Sequence, residues 1–183
     1  KVLDLGCGNG RNAIPLANTH YDVCGIDIST VALSQANEFA QTRCANPPRF
    51  VCGSMGQPLP FGESIFDVVM DITSFDILIK KSEIECHAKE VRRVLKSKGY
   101  FLYYDMANDD PYSLDLLNKS PDRRKGVIYT PAGIPFKIYS ADQIAKIFNC
   151  FETLAQEKFK FTDIMDGTQW NRSLLCMIMK PKK

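Results

Sequence analysis

The feature that most constrains this chain is a glycine-rich turn directly after its first apolar run. The sequence opens "KVLDLGCGNG", a short apolar segment with one internal carboxylate, Asp4. Three alternating glycines follow it, Gly6, Gly8 and Gly10. Glycine lets the backbone turn tightly and lets a ligand approach it closely. A strand that ends in such a turn predicts an α/β sheet with a nucleotide or nucleoside site at the strand's carboxyl end.

Short apolar runs alternate with helix-like segments along most of the remaining sequence. We predict further strands over "DVCGID", "RFVCG", "FDVVMD" and "YFLYYDM", with helices between them. Ser29 is predicted to cap the helix after the second strand. Capping boxes are predicted at Ser82 with Glu85 and at Ser140 with Gln143.

The last part of the sequence has a different pattern. "EKFKFTDIMDGTQWNRSLLCMIMK" indicates two strands around Asp166-Gly167, a turn typical of an antiparallel hairpin. We therefore predict a single α/β domain over residues 1–183. It would contain a mostly parallel seven-stranded sheet with helices on both faces and a C-terminal antiparallel hairpin. Residues 107–139 interrupt the alternation, and we predict that this insertion covers the substrate side of the site as a lid.

Composition excludes some classes of function. A formal net charge of +2 gives no signal for nucleic-acid binding. The seven cysteines are scattered without a Cys-x-x-Cys pair, and there are only two histidines, so we expect no metal site. Free cysteines also favour a reducing compartment, and we expect a cytoplasmic protein. Because no segment approaches the roughly 18 apolar residues of a membrane span, we expect no membrane association.

The spacing of the glycines distinguishes two kinds of nucleotide ligand. A nicotinamide dehydrogenase typically carries G-x-G-x-x-G, which would place a glycine where this chain has Arg11. The carboxylate of Asp4 would gain nothing beside a pyrophosphate but would stabilise a ligand with an ammonium and a sulfonium. Asp27 ends the second strand, where one carboxylate can accept hydrogen bonds from both hydroxyls of a ribose. The alternative is that Asp27 only caps the next helix, but Ser29 is better placed for that.

Four runs, in this order, carry a resemblance to a known family. "VLDLGCGNGRNAIPLA", "VCGIDIS", "PLPFGESIFDVVMD" and "EVRRVLKSKGYFLYY" resemble the motifs of class I S-adenosylmethionine-dependent methyltransferases, over nearly the whole chain. "GRNAIPLA" is most similar to small stand-alone enzymes related to tellurite-resistance and thiopurine methyltransferases. The resemblance implies a Rossmann-like fold, methyl transfer from S-adenosylmethionine to a small molecule, and S-adenosylhomocysteine as product. It also implies helices before the first strand, so we expect N-terminal helices to be missing from this sequence.

The resemblance also implies a set of cofactor-binding residues. These are Asp4, Gly6, Cys7, Gly8, Gly10, Asp27, Ile28, Ser54, Met55 and Asp71. The glycine turn would lie under the methionine part of the cofactor, Asp27 would hold the ribose, and Ile28 would pack on the adenine. At the adenine edge the family often carries an aspartate, where this chain has Ser54.

The acceptor side is predicted from residues that follow the strands or lie in the insertion. We predict substrate contacts from Ser74, Phe75 and Tyr112. Asp76 lies in the same region, whereas Asp105 is interpreted as a packing residue, and the sequence assigns no catalytic residue. The partners we expect are a small-molecule substrate and, at most, a second copy in a weak dimer. Two alternatives stay open: a non-catalytic S-adenosylmethionine-binding or partner protein, and a protein or RNA methyltransferase.

Overall fold

The computed structural model describes residues 1–182, and most of its strands form one sheet. The strands are β1 (Val2–Leu5), β2 (Val23–Asp27), β3 (Arg49–Cys52), β4 (Phe66–Ile72), β5 (Leu95–Met106), β6 (Ile128–Tyr129), β7 (Pro135–Phe136), β8 (Phe151–Met165) and β9 (Thr168–Pro181). Seven of them form a sheet in the order β3-β2-β1-β4-β5-β9-β8, and β6 pairs with β7 separately. The first five strands are parallel, and β9 runs antiparallel to both of its neighbours. The predicted fold class is confirmed.

The helices cover both faces of the sheet because successive strand residues point to opposite faces. They are α1 (Ala13–Asn18), α2 (Thr30–Arg43), α3 (Lys81–Val94), α4 (Pro111–Lys119) and α5 (Ala141–Ile147). In β1, Val2 packs in one apolar layer with Ala13 of α1, whereas Leu3 packs in the other with Val91 of α3. Within residues 1–182, none of these helices has the length and apolar character that a membrane span requires.

The two predicted capping boxes have different outcomes. The box of Ser140 and Gln143 is confirmed, because both of its reciprocal hydrogen bonds are present at the start of α5. The box of Ser82 and Glu85 is wrong. The capping position is Lys80 and α3 begins at Lys81, two residues before the start that a cap at Ser82 requires, so Ser82 already lies inside the first turn and cannot act as the capping residue.

The insertion after β5 is held down by a buried ion pair. Asp110 caps α4 and accepts hydrogen bonds from the amide of Ser113 (3.0 Å) and from Nε of Arg172 in β9 (2.9 Å). The Asp110 and Arg172 side chains are both buried. Burial alone would raise the pKa of Asp110, but hydrogen bonds from Arg172, Ser173 and Ser113 hold it below its usual value. The insertion is therefore fixed to the hairpin through a charged contact.

The C-terminal hairpin has the turn that the sequence predicts. Asp166 and Gly167 both have positive φ angles, 51° and 75°, as a two-residue type I′ turn requires. Strand β9 pairs with β5 only over its second half, from Leu174 to Met179. The turn end of the hairpin, which includes the first half of β9, therefore extends past β5 on the side where the insertion lies.

Candidate functional site

The glycine turn lies where the strand order reverses. From β1 the chain continues to β2 and β3 on one side, whereas β4 and β5 lie on the other. Open parallel sheets bind ligands outside the carboxyl ends of the strands at such a point. Gly6, Gly8 and Gly10 all have positive φ, and a Cβ added at Gly6 would lie 2.4 Å from the Cβ of Ser74. The conformation of this turn therefore requires glycine.

A residue with a strained backbone lies at the same edge of the sheet. Thr73, which follows β4, has a φ of 54°. This angle is unusual for a β-branched side chain, and backbone strain concentrates at functional sites. Three hydrogen bonds hold the residue in place. The Thr73 amide donates to the Tyr104 carbonyl (2.7 Å), Oγ1 of Thr73 donates to the Ile72 carbonyl (2.7 Å), and Nη2 of Arg11 donates to Oγ1 of Thr73 (3.3 Å). Arg11 thus connects the glycine turn to the end of β4.

Asp27 connects the glycine turn to the start of α2. Its Oδ2 accepts a hydrogen bond from the amide of Gly8 and its Oδ1 accepts one from the amide of Ser29, both at 2.8 Å. Ser29 caps α2 as predicted, through a hydrogen bond from the amide of Ala32 to its Oγ (3.2 Å). A carboxylate has about four lone-pair sites, so Asp27 can hold the turn and still accept hydrogen bonds from a ligand.

A pocket of about 220 Å³ opens beside Asp27. Its walls are formed by Gly6, Ile26, Asp27, Ile28, Gly53, Ser54, Met55, Ile77, Leu78 and Glu83. Half of these residues are predicted cofactor contacts. Ile28 is 70% exposed and free to pack against a ligand, and Oγ of Ser54 accepts a hydrogen bond from the amide of Gly56 (3.2 Å). The structure therefore brings the glycine turn, the strand-ending acid and an apolar wall together around one cavity.

Asp4 supplies a buried carboxyl oxygen that lacks a partner. Within the part of the chain that the structure describes, no group donates a hydrogen bond to its Oδ2. Burial is the main cause that raises the pKa of Asp4 to about 7, the charge of Asp71 raises it further, and Arg11 lowers it. A buried acid beneath a glycine turn fits a ligand with a positive charge, because the cation would supply the missing partner.

Several predicted cofactor residues do not line the pocket. Cys7 is buried, and a Cβ added at Gly25 would lie 2.7 Å from its Sγ. Burial also raises the pKa of the Cys7 thiol, so it stays protonated at neutral pH. Gly10 packs against Ile14 and Phe50. These positions shape the turn from beneath, and a direct cofactor contact from them stays a prediction.

Asp71, Ser74 and Phe75 lie in the core below the turn. The Asp71 carboxylate accepts a hydrogen bond from the amide of Phe75 (2.8 Å) and lies 3.1 Å from Nε2 of His87, outside hydrogen-bond geometry. Oγ of Ser74 is 2.8 Å from the carbonyl oxygen of Leu5 and also within hydrogen-bond distance of Asp71. All three predicted contacts are buried. Their burial and hydrogen bonds indicate that these residues hold the ends of β1 and β4 in position instead of contacting a ligand.

Tyr112 lies at a second pocket, between the insertion and the hairpin. This pocket has a volume of about 260 Å³ and mostly apolar walls. The Tyr112 hydroxyl donates a hydrogen bond to Oδ2 of Asp166 (2.9 Å), and the Arg172 guanidinium lies 5.0 Å from the centre of the tyrosine ring. Of the three predicted substrate contacts, Tyr112 is the one that lines this cavity.

Asp76 and Asp105 form an acidic pair that the sequence pattern does not predict. The amide of Asp76 donates a hydrogen bond to Oδ2 of Asp105 (3.2 Å). Burial raises the pKa of Asp76 to about 7 and that of Asp105 well above its usual range. The available signal was that each acid follows or ends one of two strands, β4 and β5, which lie side by side.

The family is decided by comparison with known proteins. Residues 2–99 match the profile of a family described as "Methyltransferase domain". The chain belongs to the methyltransferase domain family. An uncharacterized methyltransferase, YcgJ of Bacillus subtilis, is 32% identical over 119 residues, covering 64% of this chain and 46% of that protein. The sterol 24-C-methyltransferase ERG6B of Gibberella zeae is 30% identical over 172 residues, covering 92% of this chain and 43% of that protein.

Solved structures share the fold of this methyltransferase domain. The PH0226 protein of Pyrococcus horikoshii superposes with a TM-score of 0.76 at 26% identity, over 99% of this chain and 81% of that one. An S-adenosylmethionine-dependent methyltransferase of Methanosarcina mazei gives a TM-score of 0.83 at 20% identity, over 100% of this chain and 92% of that one. The methyltransferase domain spans between 33% and 46% of the length of the first curated relatives it matches.

The cofactor of this methyltransferase domain is S-adenosylmethionine, which leaves as S-adenosylhomocysteine. The observed site fits that molecule. Asp4 provides an unpartnered carboxyl oxygen for a cation, the partly exposed Asp27 retains lone pairs for hydroxyl groups, and Ile28 offers an exposed apolar surface. The resemblance inferred from the four sequence runs is confirmed at the level of the family and the cofactor.

Proposed function

We propose that this chain transfers the methyl group of S-adenosylmethionine to a small-molecule acceptor by in-line displacement. One observation carries the proposal. A single pocket at the point where the strand order reverses is lined by the glycine turn, through Gly6, and by the acid that ends β2, Asp27. The unpartnered carboxyl of Asp4 lies beneath the same turn.

The chemistry follows from what each group can do. When bound, the cofactor supplies a methyl group that is electrophilic because the sulfur to which it is attached is positively charged. Asp4 holds the methionine part of the cofactor and Asp27 holds its ribose, and the protein's main contribution is to fix the acceptor in line with the bond that breaks. Positioning of this kind can account for as much as about 7–11 kcal/mol of the barrier.

A small-molecule acceptor is favoured over a macromolecule by the size and apolar character of the acceptor-side cavity. The insertion and the hairpin line a cavity of about 260 Å³ that shares Ile77 with the cofactor pocket, and its mostly apolar walls suit a small molecule. The net charge of +2 provides little attraction for RNA. Among the relatives, a fatty-acid O-methyltransferase of Mycolicibacterium smegmatis is 33% identical over 107 residues and a tRNA N(3)-cytidine methyltransferase of Gallus gallus is 26% identical over 117 residues.

Calorimetry with S-adenosylhomocysteine tests the cofactor site. We expect Asp27→Ala to weaken binding by about tenfold or more, because charge-assisted hydrogen bonds to ribose are lost. Asp27 also holds the amide of Gly8, so the substitution could weaken binding by disturbing the turn. The 2′-deoxy analogue of S-adenosylhomocysteine separates this effect from the loss of ribose contacts, because it already lacks one of those contacts. Asp27→Ala should therefore weaken binding of the analogue less than it weakens binding of S-adenosylhomocysteine. Asp22→Ala is the matched control, because Asp22 precedes β2, is exposed and lies outside the pocket.

Two results would contradict the proposal. If the wild-type protein gave no heat with S-adenosylmethionine but bound a nicotinamide dinucleotide, the cofactor assignment would fail. If a folded Asp27→Ala variant kept full affinity, the ribose role of Asp27 would fail. Binding without methylated product across a panel of thiols, amines, hydroxyls and carboxylates would favour the non-catalytic alternative.

A further inference from the structure

The second pocket adjoins the cofactor pocket. Ile77 contributes to the walls of both cavities. The walls of the second pocket are largely apolar. They include Leu116 of the insertion, Phe136 of the β6–β7 ribbon and Met106 of β5. A molecule in this pocket would therefore have an apolar body and would lie next to the bound cofactor.

One charged side chain in the second pocket lacks an ionic partner. Two charged residues line the cavity, Asp76 and Arg172. The Arg172 charge is neutralised by Asp110, through hydrogen bonds of 2.9 Å and 3.2 Å. Oδ1 of Asp76 is buried and, across residues 1–182, accepts no hydrogen bond. An acceptor with one polar atom would therefore be oriented by Asp76.

The surroundings of Asp76 contain further polar atoms without partners. The hydroxyls of Tyr103 and Tyr139 are buried and make no hydrogen bond to any residue that the structure describes. Tyr103 is fully buried, and Tyr139 is 8% exposed. Asp105 lies beside them and accepts the amide hydrogen bond of Asp76. Buried polar groups are normally hydrogen-bonded, and of these residues Asp76 is the one that lines the second pocket, so its carboxyl is the group that a polar ligand atom would meet there.

We propose that the second pocket binds an apolar small molecule whose nucleophile is a neutral O–H or N–H group, and that Asp76 accepts the proton of that nucleophile. This inference rests on the proposed methyl transfer and adds to it the acceptor class and a catalytic residue. A carboxylate acceptor is disfavoured because Asp71 and Asp105 lie close to Asp76.

The step balances without a further reactant. The acceptor oxygen or nitrogen forms a bond to the methyl carbon while the carbon–sulfur bond breaks. The electron pair of that bond remains on sulfur, which becomes the neutral thioether of S-adenosylhomocysteine. The proton of the nucleophile moves to the Asp76 carboxylate and is later released to water.

The electrostatic environment suits this role for Asp76. Burial, followed by the charge of Asp71, raises the pKa of Asp76 to about 7. A general base is most effective when its pKa lies near the working pH. Transfer to a protic acceptor should therefore become faster as the pH rises through about 7, as Asp76 loses its proton. The titratable and charged groups around Asp76 are Asp71 of β4, Tyr103 and Asp105 of β5, Tyr139 before α5, and Arg172 of β9.

Binding of a simple probe tests the pocket. We would measure, by calorimetry at pH 8, the affinity of 4-butylphenol and of butylbenzene for the protein saturated with S-adenosylhomocysteine. We expect the phenol to bind about tenfold or more tightly than the hydrocarbon, because its hydroxyl donates to a charged acceptor. In Asp76→Asn this preference should fall to about threefold or less. Asp115→Asn is the matched control, because Asp115 lies on α4 but faces Lys119 instead of the pocket.

Turnover tests the role of Asp76. With S-adenosylmethionine bearing a labelled methyl group, Asp76→Asn should lower kcat for 4-butylphenol by about 100-fold or more, the usual contribution of a general base. Methylation of 4-butylthiophenol should not fall, because an aromatic thiol is already largely ionised at pH 8 and needs no base, and loss of the Asp76 charge reduces the repulsion of its thiolate. The wild-type rate with the phenol should rise through pH 7 and level off above it, whereas the residual rate of the variant should rise without levelling off, as the fraction of phenolate increases. Unchanged affinity for S-adenosylhomocysteine would show that the variant is folded.

The outcomes separate the two proposals. If S-adenosylhomocysteine fails to bind the wild-type protein, the proposed function is overturned. If it binds but 4-butylphenol does not, or binds no better than butylbenzene, the acceptor pocket is overturned alone. If the phenol binds but is not methylated, or if Asp76→Asn methylates it within threefold of the wild-type rate, the catalytic role of Asp76 is overturned.

Discussion

The buried acid of the first strand should make the domain less stable as the pH rises. Asp4 is 1% exposed, and burial raises its pKa from an ordinary value of 3.8 to about 7. The folded state therefore holds this proton more tightly than the unfolded state between those two values. Because the folded state binds more protons over that range, the free energy of unfolding decreases as the pH rises from about 4 to about 7.

Asp4→Asn removes the ionisation and keeps the shape of the side chain. Integrating the two titrations gives a loss of about 2.5 kcal/mol in the wild type between pH 5 and pH 8, which the variant should not suffer. The difference in unfolding free energy between variant and wild type should thus shift by about 2.5 kcal/mol in favour of the variant over this range. Asp22→Asn is the control, because the Asp22 side chain is 70% exposed.

Urea unfolding at pH 5, 6.5 and 8 provides the measurement. The comparison uses the change in the difference between proteins, so other titrating groups largely cancel. The reasoning is refuted if the difference between Asp4→Asn and the wild type stays constant from pH 5 to pH 8. It is also refuted if Asp22→Asn shows the same shift as Asp4→Asn.

The same variant should bind the cofactor less well. If Asp4 faces the ammonium of the methionine part, Asp4→Asn should weaken S-adenosylhomocysteine binding by about tenfold or more, because a buried ionic partner is lost. Binding of 5′-methylthioadenosine, which lacks the amino-acid part, should change by less than about threefold. Equal losses for both ligands would indicate a general disturbance of the turn instead.

Two further substitutions test the glycine turn and the attachment of the insertion. Gly6→Ala should destabilise the domain by about 2 kcal/mol or more in thermal unfolding, because the new Cβ would clash with Ser74 and the positive φ is strained for alanine. Gly133→Ala is the control, because Gly133 also has a positive φ but no atom lies near its added Cβ. It should destabilise the domain by about 1 kcal/mol. If the two substitutions destabilised the domain equally, the clash with Ser74 would not explain why position 6 requires glycine. Arg172→Leu should destabilise the domain by about 3–5 kcal/mol in urea unfolding at pH 7, because it leaves the Asp110 carboxylate buried and unpaired. Since that carboxyl has a lowered pKa, the loss should diminish as the pH falls through that pKa and the acid becomes neutral; a loss independent of pH would count against the ion pair.

Local patterns in the sequence were sufficient to predict most of the sheet. Each of these patterns involves residues that are adjacent in the sequence. The apolar runs indicate strands, and the glycine turn and the Asp166-Gly167 dipeptide indicate where strands end. The start of α3 was not predictable in the same way, because Ser82 and Glu85 have the spacing of a capping box although the chain is already helical from Lys81, after the capping position Lys80. Gly99 shows the same limit. A glycine directly after a helical pattern is typical of a helix end, but Gly99 lies within β5, where a Cβ would meet the carbonyl oxygen of Asp67 at 2.8 Å.

The cofactor side of the site was more predictable than the acceptor side. Gly6 and Asp27 are parts of a motif with fixed spacing, and the structure brings both to one pocket. Asp76 and Asp105 are 29 residues apart, and their importance depends on burial and on the neighbouring strands that bring them together. Sequence alone could indicate that acids follow these strands. It could not indicate that Phe75, beside Asp76, is directed into the core while Asp76 lines a cavity.

The acids at this edge of the sheet explain why the site and the stability of the fold oppose each other. Asp4, Asp27, Asp71, Asp76 and Asp105 lie on or directly after four neighbouring parallel strands, in a chain whose net charge is +2. Burial and mutual repulsion raise the pKa of Asp4, Asp76 and Asp105, so their charged forms destabilise the empty domain near neutral pH. A cation bound among them removes part of that cost, and any ligand that binds only the folded state stabilises it in proportion to its affinity. Under the proposed function, the charge distribution that weakens the free domain would also select a positively charged cofactor and provide a base for its acceptor.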